Sequence, residues 1–223
     1  MTNSRRYRLL SGSDPCLPTP TLSGQPDDRY LYSRRHAWLT FALVMALQLF
    51  DFIDRQVLAA LLPSIKGEWR LSDTELGMLV GAVNIAIAVF ILPVSVLVDR
   101  WSRTRCISLM GVVWSIATVS CGLAGGFWQL LVARFFVGAG EAGYGTASTN
   151  LLANVFPKRM RAGVIGLKES GALIGSVIGV VLGGYIAKHY GWRYAFGVVA
   201  APGFVFAVLI LLLRDYPTPQ SAT

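Results

Sequence analysis

The chain is a succession of long apolar segments separated by short polar ones. After a polar amino-terminal stretch, six such segments occupy residues 37–62, 76–98, 106–124, 128–156, 162–187 and 194–213. A helix of about 20 apolar residues crosses the ~30 Å hydrocarbon core of a bilayer. None of the segments shows strand-like alternation, and a helix satisfies its own backbone hydrogen bonds in lipid. The pattern predicts an all-α membrane protein with six transmembrane helices.

Both ends of the chain are polar, and they define the predicted domain boundaries. Residues 1–36 are rich in proline, serine and glycine and lack helical periodicity, which predicts a disordered tail. Residues 37–214 contain all six apolar segments and form the predicted transmembrane domain. Residues 215–223 form a second predicted tail.

The composition agrees with insertion in a membrane. Hydrophobic residues make up 54% of the chain and charged residues 14%, whereas soluble domains carry about 25% charged residues. The net charge of +8 does not indicate nucleic-acid binding, because the Lys and Arg residues are divided among short loops. The cysteines, Cys16, Cys106 and Cys121, lack the spacing of a disulfide framework or a metal site. We therefore expect no cofactor and no metal.

The distribution of basic residues predicts the orientation of the chain in the membrane. With the amino terminus on the cytoplasmic side, most of the basic residues near segment ends are also cytoplasmic, in accordance with the positive-inside rule. The cytoplasmic set is Arg34, Arg35, Arg100, Arg103, Arg105, Lys158, Arg159, Arg161 and Arg214, and the outer set is Lys66, Arg70, Lys188 and Arg193. The prediction is a multi-pass protein of the cell or inner membrane with both termini in the cytoplasm.

Ionisable residues lie inside two of the apolar segments. The stretch ARFFVGAGEAGYG places Arg134, Gly138 and Glu141 on one helix face, at positions i, i+4 and i+7. The first segment contains LFDFIDRQ, with Asp51 and Asp54 deep in an apolar run. A charge at mid-depth is costly unless it is paired or wetted, so these residues predict a polar interior between helices. The alternative is a structural ion pair that only orients the helices.

The depth of each residue along its helix predicts which charges meet. At about 1.5 Å of rise per residue, Asp54 and Arg134 fall at similar heights in the membrane. Glu141 falls at the height of Lys168, which lies on the fifth segment. We therefore expect one contact between Asp54 and Arg134 and another between Glu141 and Lys168.

These residues indicate a mechanism of proton coupling. A carboxylate beside an arginine stays ionised, and separation from the arginine favours its protonation. A carboxyl group that alternates between these surroundings can couple protons to the movement of a second solute. The hypothesis assigns this role to Asp54 or Glu141, with Arg134 as a switchable partner or an anion contact. Permanent salt bridges are the competing explanation. Secondary candidates for coupling or binding are Asp51, Lys168 and Glu169.

Glycines recur every four residues on the fifth apolar segment. Gly171, Gly175, Gly179 and Gly183 share one helix face, and Gly138 occupies the polar face of the fourth segment. Rows of small residues let helix backbones approach closely within a membrane. These glycines predict tight helix packing and say little about a substrate.

Several stretches match the motifs of one family. SVLVDRWSRTR fits the loop pattern GxLaDRxGRR, with Asp99, Arg100 and Arg103 in register and serines in place of two glycines. RFFVGAGEA fits RxxxGxGxA, and the fifth segment fits a glycine frame known from antiporters, with Val180 where proline is usual. Together these stretches resemble the amino-terminal half of a major facilitator superfamily transporter. The resemblance implies a 3+3 inverted repeat and a gating role for the loop, and it leaves symport and antiport open.

Within that superfamily, the closest resemblance is to Spinster-like proteins. It is carried by the Asp54–Arg55 pair and by the sequence GEA at Glu141, and it extends over about residues 37–214. The resemblance implies proton-linked movement of lipid-like or amphiphilic organic anions across the bilayer. It also implies that Asp54, Arg55, Arg134 and Glu141 are coupling and binding positions.

Members of this superfamily usually have two six-helix halves with the substrate between them, and this sequence resembles one half. We expect a fragment, a truncated reading frame or a remnant rather than a working homodimer. The leading prediction is half of a secondary transporter for a small molecule and protons, and the alternative is a non-transporting membrane protein or an assembly partner that needs a second half. An enzyme is disfavoured, because the sequence lacks HExxH, GxSxG and a Gly-rich phosphate loop.

Overall fold

The computed structural model describes residue 30, residues 33–100 and residues 103–211. This part of the chain contains seven helices and no strand, which confirms the all-α class. The helices are α1 (Arg34–Trp69), α2 (Asp73–Arg100), α3 (Arg103–Gly122), α4 (Phe127–Glu141), α5 (Tyr144–Val155), α6 (Lys158–His189) and α7 (Trp192–Leu211). Most of the first predicted tail and all of the second lie outside the described residues.

The first two helices begin with side-chain caps. Ser33 accepts a hydrogen bond from the backbone N–H of His36, so α1 already begins within the stretch that was predicted as tail. Ser72 and Glu75 form a capping box at the start of α2. The Glu75 carboxylate accepts from the Ser72 backbone N–H at 2.7 Å, and the Ser72 hydroxyl accepts from the Glu75 N–H at 3.3 Å.

The fourth apolar segment is not one continuous helix, as the sequence predicted, but two. α4 and α5 meet at Ala142 and Gly143, which both keep right-handed helical backbone angles (φ −55°, ψ −30° and φ −114°, ψ −5°). The interruption coincides with close packing. A Cβ carbon on Gly140 would lie 2.7 Å from the backbone nitrogen of Trp114, and one on Gly143 would collide with Val94 and Met110. Glycine also weakens a helix by about 1 kcal/mol relative to alanine.

The two short helices together make one membrane crossing. At one end of the bundle, the rings of Trp38 on α1 and Phe156 after α5 are 5.5 Å apart. At the other end, Trp69 of α1 lies 5.3 Å from Trp192 of α7, and Arg193 donates to the carbonyl of Ala124, just before α4. The α4–α5 pair therefore runs antiparallel to α1 along its length. Five other helices are each long and apolar enough to cross a membrane. Together with the α4–α5 pair they give the six predicted crossings.

The glycine row of α6 lies against α1. A Cβ carbon would fall 2.6 Å from the carbonyl oxygen of Leu49 at Gly175 and 2.7 Å from that of Ile53 at Gly179. At Gly171 the nearest atom is 3.7 Å away, which is ordinary contact. The closest approach of the two backbones is therefore at the level of the ionisable residues of α1. Gly138 makes a similar approach to α2, beneath the carbonyl of Val83.

The outer surface of the bundle is apolar while ionisable groups are inside it. Large side chains such as Leu92 on α2 and Leu173 on α6 are about three-quarters exposed (73% and 74%). By contrast Asp54, Arg134 and Lys168 are 1% exposed or less. This inverted distribution fits a protein whose outer face contacts hydrocarbon.

Candidate functional site

The first part of the site is a buried ion pair between α1 and α4. The guanidinium of Arg134 donates to the carboxylate of Asp54, with Nη1 and Oδ2 separated by 2.8 Å. The two side chains are 1% and 0% exposed. The guanidinium carbon of Arg134 also lies over the ring of Phe196 on α7, 5.8 Å from the ring centroid. The predicted contact between Asp54 and Arg134 is confirmed.

The second part of the site is centred on Arg55. Its Nε donates to the carboxylate of Asp51, one turn earlier, at 3.3 Å, and its Nη2 donates to the carboxylate of Glu141 on α4. The Arg55 side chain is 29% exposed and the Glu141 side chain 4%. This pair of contacts therefore joins the end of α4 to the middle of α1 and reaches the surface through the arginine.

The predicted contact between Glu141 and Lys168 is wrong. Lys168 instead donates to the neighbouring carboxylate of Glu169 at 2.9 Å and to the hydroxyl of Thr149 on α5 at 3.2 Å. The rise of the helices predicts one height for both residues, but Gly171, just after Lys168, lies against Met45 of α1, whereas Glu141 contacts Arg55 further along that helix. Glu141 turns toward α1, while Lys168 turns toward α5.

Asp51, Asp54, Arg55, Arg134 and Glu141 are called the charge cluster below. They comprise three carboxyl groups and two guanidinium groups, so full ionisation leaves one net negative charge, which one proton would neutralise. Two of these carboxyl groups each have one oxygen without a hydrogen-bond partner among the described residues. The two atoms are Asp54 Oδ1 and Glu141 Oε1. The cluster therefore retains capacity to bind a proton or a donor group.

A polar cavity lies beside the charge cluster. It measures about 460 Å³ and is lined by Gln48, by the first turns of α5, and by Lys168 and Glu169 on α6. Gln48 precedes Asp51 by three residues on α1, which places the cavity next to the cluster along the same helix. Near it, the hydroxyl of Tyr144 donates to the carbonyl of Val44 at 2.6 Å and ties α5 to α1.

The sequence analysis missed Gln48, Thr149 and Tyr144. A signal was present for Gln48, since it is a polar residue inside an apolar run on the face that carries Asp51. For Thr149 and Tyr144 no such signal exists, because hydroxyl groups are common in helices of membrane proteins and often bond only to their own backbone.

The predicted gating residues lie at the junction of α2 and α3. α2 ends at Arg100 and α3 begins at Arg103, so the connection is short. The side chains of Asp99, Arg100 and Arg103 lie outside the described part of the structure. Their gating role stays a prediction.

Comparisons with known proteins identify the type of bundle. The family model of the Major Facilitator Superfamily matches residues 44–223. A hexuronate transporter of Bacillus subtilis is 31% identical over 159 residues, which cover 71% of this chain and 38% of the relative. A probable sphingolipid transporter of Arabidopsis thaliana, spinster homolog 3, is 29% identical over an alignment that covers 100% of this chain and 46% of the relative.

A solved structure shares both the fold and the sequence resemblance. It is a bacterial homolog of the human lysosomal transporter Spinster, in an inward-facing and occupied conformation. The TM-score is 0.78 at 28% sequence identity, over 85% of this chain and 47% of that one. The predicted resemblance to Spinster-like proteins is confirmed. This chain spans less than half the length of each of these three proteins.

Proposed function

This chain belongs to the major facilitator superfamily, and from that premise we propose that it forms one half of a secondary active transporter that couples protons to the movement of an organic anion. The observation that carries the proposal is the charge cluster between α1 and α4, with three carboxyl groups against two arginines. In a membrane interior such charges are rare, and they mark proton and substrate pathways.

The geometry divides the charge cluster into two parts. One is a buried ion pair with a fixed geometry, and the other is a partly exposed arginine that can change its carboxylate partner. Asp54 and Arg134 are sealed from the surface, and separating them would leave two unpaired charges inside the bundle. Arg55 is partly exposed and contacts two carboxylates, so it can release one and keep the other. A carboxyl group that loses an arginine partner binds a proton more readily. Glu141, at the end of α4 beside the helix interruption, is therefore the coupling group of this proposal.

An organic anion is the substrate class that the chain favours. Two basic groups attract negative charge, namely Lys168 in the lining of the polar cavity and the partly exposed Arg55 in the charge cluster. One relative points the same way, because hexuronate is a carboxylate. The superfamily's usual arrangement, with the substrate between two six-helix halves, predicts that this chain works beside a second half or a second copy.

The test is uptake into liposomes that contain the purified chain. Labelled D-glucuronate uptake should respond to an imposed proton gradient, rising with an inward gradient for symport and with an outward gradient for antiport. Glu141→Gln should remove the response to the gradient, because the amide cannot take up the proton. Glu75→Gln is the matched control, since Glu75 caps α2 away from the cluster, and it should behave as wild type. Wild-type pH dependence in Glu141→Gln would contradict the proposal.

The second candidate is a membrane protein that does not transport alone. It is favoured by the superfamily's usual arrangement, in which the substrate site lies between two six-helix halves and this chain resembles one of them. Reconstitution with and without a second six-helix half from a relative distinguishes the two candidate functions. Uptake only in the presence of the second half would assign the chain as an assembly partner, and absence of uptake in both cases would refute transport.

A further inference from the structure

The polar cavity between α1, α5 and α6 contains a second set of interacting groups, separate from the charge cluster. We propose that Lys168, Thr149 and Gln48 bind the carboxylate end of a small hydroxylated organic acid, and that Glu169 is the counter-ion that this acid displaces. The proposal deepens the proposed transport function by naming the substrate class and its binding residues, and it rests on that function.

Lys168 and its partner differ sharply in exposure. The Lys168 side chain is 1% exposed, whereas that of Glu169 is 54% exposed, although Nζ and Oε1 are only 2.9 Å apart. A buried ammonium group without an anion is strongly unfavourable, so Lys168 needs a negative partner at all times. Because Glu169 is half-exposed, its carboxylate is hydrated when it leaves the ammonium group. An incoming carboxylate can therefore replace Glu169 at little cost.

The remaining lining matches hydroxyl and carboxylate groups. Thr149 accepts a hydrogen bond from Lys168 through its hydroxyl oxygen at 3.2 Å, which leaves the hydroxyl hydrogen free for a ligand. Gln48 is only 6% exposed, and its side-chain oxygen has no partner among the described residues, so it can accept from a ligand hydroxyl. Gly145 and Thr146, in the first turn of α5, also line the cavity. The amino-terminal end of a helix attracts anions, because its backbone N–H groups and its dipole are positive there.

The volume fits the same class of ligand. The cavity measures about 460 Å³, within the range of roughly 300–1,000 Å³ typical of small-molecule sites. Its polar groups come from three different helices, so a ligand with several hydroxyl groups can contact α1, α5 and α6 at once. A ligand with a single acyl chain would leave these groups unpaired, which is unfavourable.

The experiment measures equilibrium binding to the full chain in lipid nanodiscs by calorimetry. D-glucuronate is the probe, and D-glucose is the neutral match of the same ring size. We expect saturable binding of glucuronate and binding of glucose at least about tenfold weaker, because glucose cannot pair with Lys168. Glu169→Gln should tighten glucuronate binding by about twofold to fivefold, because it removes the competing carboxylate.

Substitution of Lys168 should act in the opposite direction. Lys168→Met should weaken glucuronate binding by at least about tenfold, and Lys168→Arg should retain it. If Lys168→Met fails to fold, two other variants test the binding site. Thr149→Val should bind glucuronate several-fold more weakly, and Glu169→Gln should bind it several-fold more tightly. Equal binding of glucose and glucuronate would overturn the proposal. Unchanged or weaker binding by Glu169→Gln would overturn the exchange of counter-ions.

The binding assay separates this inference from the proposed function, because it needs no proton gradient. A chain that binds glucuronate through Lys168 but shows no gradient-driven uptake keeps the inference and removes the proposed function. A chain that transports glucuronate in response to protons but binds it equally well with Lys168→Met keeps the function and overturns the inference.

Discussion

Neutralising Asp54 should destabilise the bundle far more than neutralising an exposed aspartate. Asp54→Asn keeps the size of the side chain and leaves Arg134, which is 1% exposed, without its anion. Removing one partner of a buried ion pair costs about 3–5 kcal/mol, because the remaining charge is buried and uncompensated. With Oδ2 and Nη1 only 2.8 Å apart and both side chains buried, we expect a loss of unfolding free energy in that range.

The exposed pair between Lys66 and Asp73 supplies a matched control. Asp73→Asn makes the same chemical change where the two side chains are 44% and 88% exposed. Exposed pairs contribute about 0–1 kcal/mol, so the control should be nearly neutral. The double variant Asp54→Asn with Arg134→Gln should recover part of the loss of Asp54→Asn, because no unpaired charge then remains in the interior.

The assay is unfolding of the chain in bicelles by titration with a denaturing detergent, followed by circular dichroism. Each variant is compared with wild type by its free energy of unfolding. If Asp54→Asn and Asp73→Asn lowered this free energy equally, burial would not set the strength of the pair and the reasoning would be refuted. Simple addition of the two single effects in the double variant would also refute it, because the residues would then not be coupled.

Two further substitutions test the contacts of α1 with α6 and with α5. Gly179→Ala places a Cβ carbon 2.7 Å from the Ile53 carbonyl oxygen, so the same titration should show a loss of about 1–3 kcal/mol. Gly184→Ala, which has open space around it, should be neutral or slightly stabilising, and equal effects of the two would contradict the packing. Tyr144→Phe removes the hydrogen bond to the Val44 carbonyl and should cost about 1 kcal/mol in that titration, whereas an unchanged unfolding free energy would argue against this contact.

The membrane crossings were predictable because long apolar segments have few stable arrangements in lipid. The contact between Asp54 and Arg134 was predictable for a related reason. Each residue lies at a height that the rise of a helix determines, and a buried charge requires an opposite charge nearby. Both predictions need only distance along the helix axis, which the residue number supplies.

Predictions that need the rotation of a helix, or its neighbours, could not be made in this way. Helix rise alone matches Glu141 with Lys168, but Glu141 contacts Arg55, and only the packed bundle reveals this. The interruption after α4 coincides with the approach of α3 to Gly140 and of other side chains to Gly143. Those contacts come from distant parts of the chain, so the local sequence did not reveal them.

The length of α1 has a consequence for the response of the protein to its lipid surroundings. Its 36 residues extend about 54 Å, while the hydrocarbon layer is ~30 Å thick. The helix must therefore tilt or extend beyond the hydrocarbon layer. The thickness of the surrounding bilayer then changes how much of each helix end is exposed to water. Asp54 sits near its midpoint and is buried with Arg134, whereas Lys66 sits near an end. Hydrophobic mismatch should thus adjust the terminal contacts while the buried Asp54–Arg134 pair keeps a constant environment.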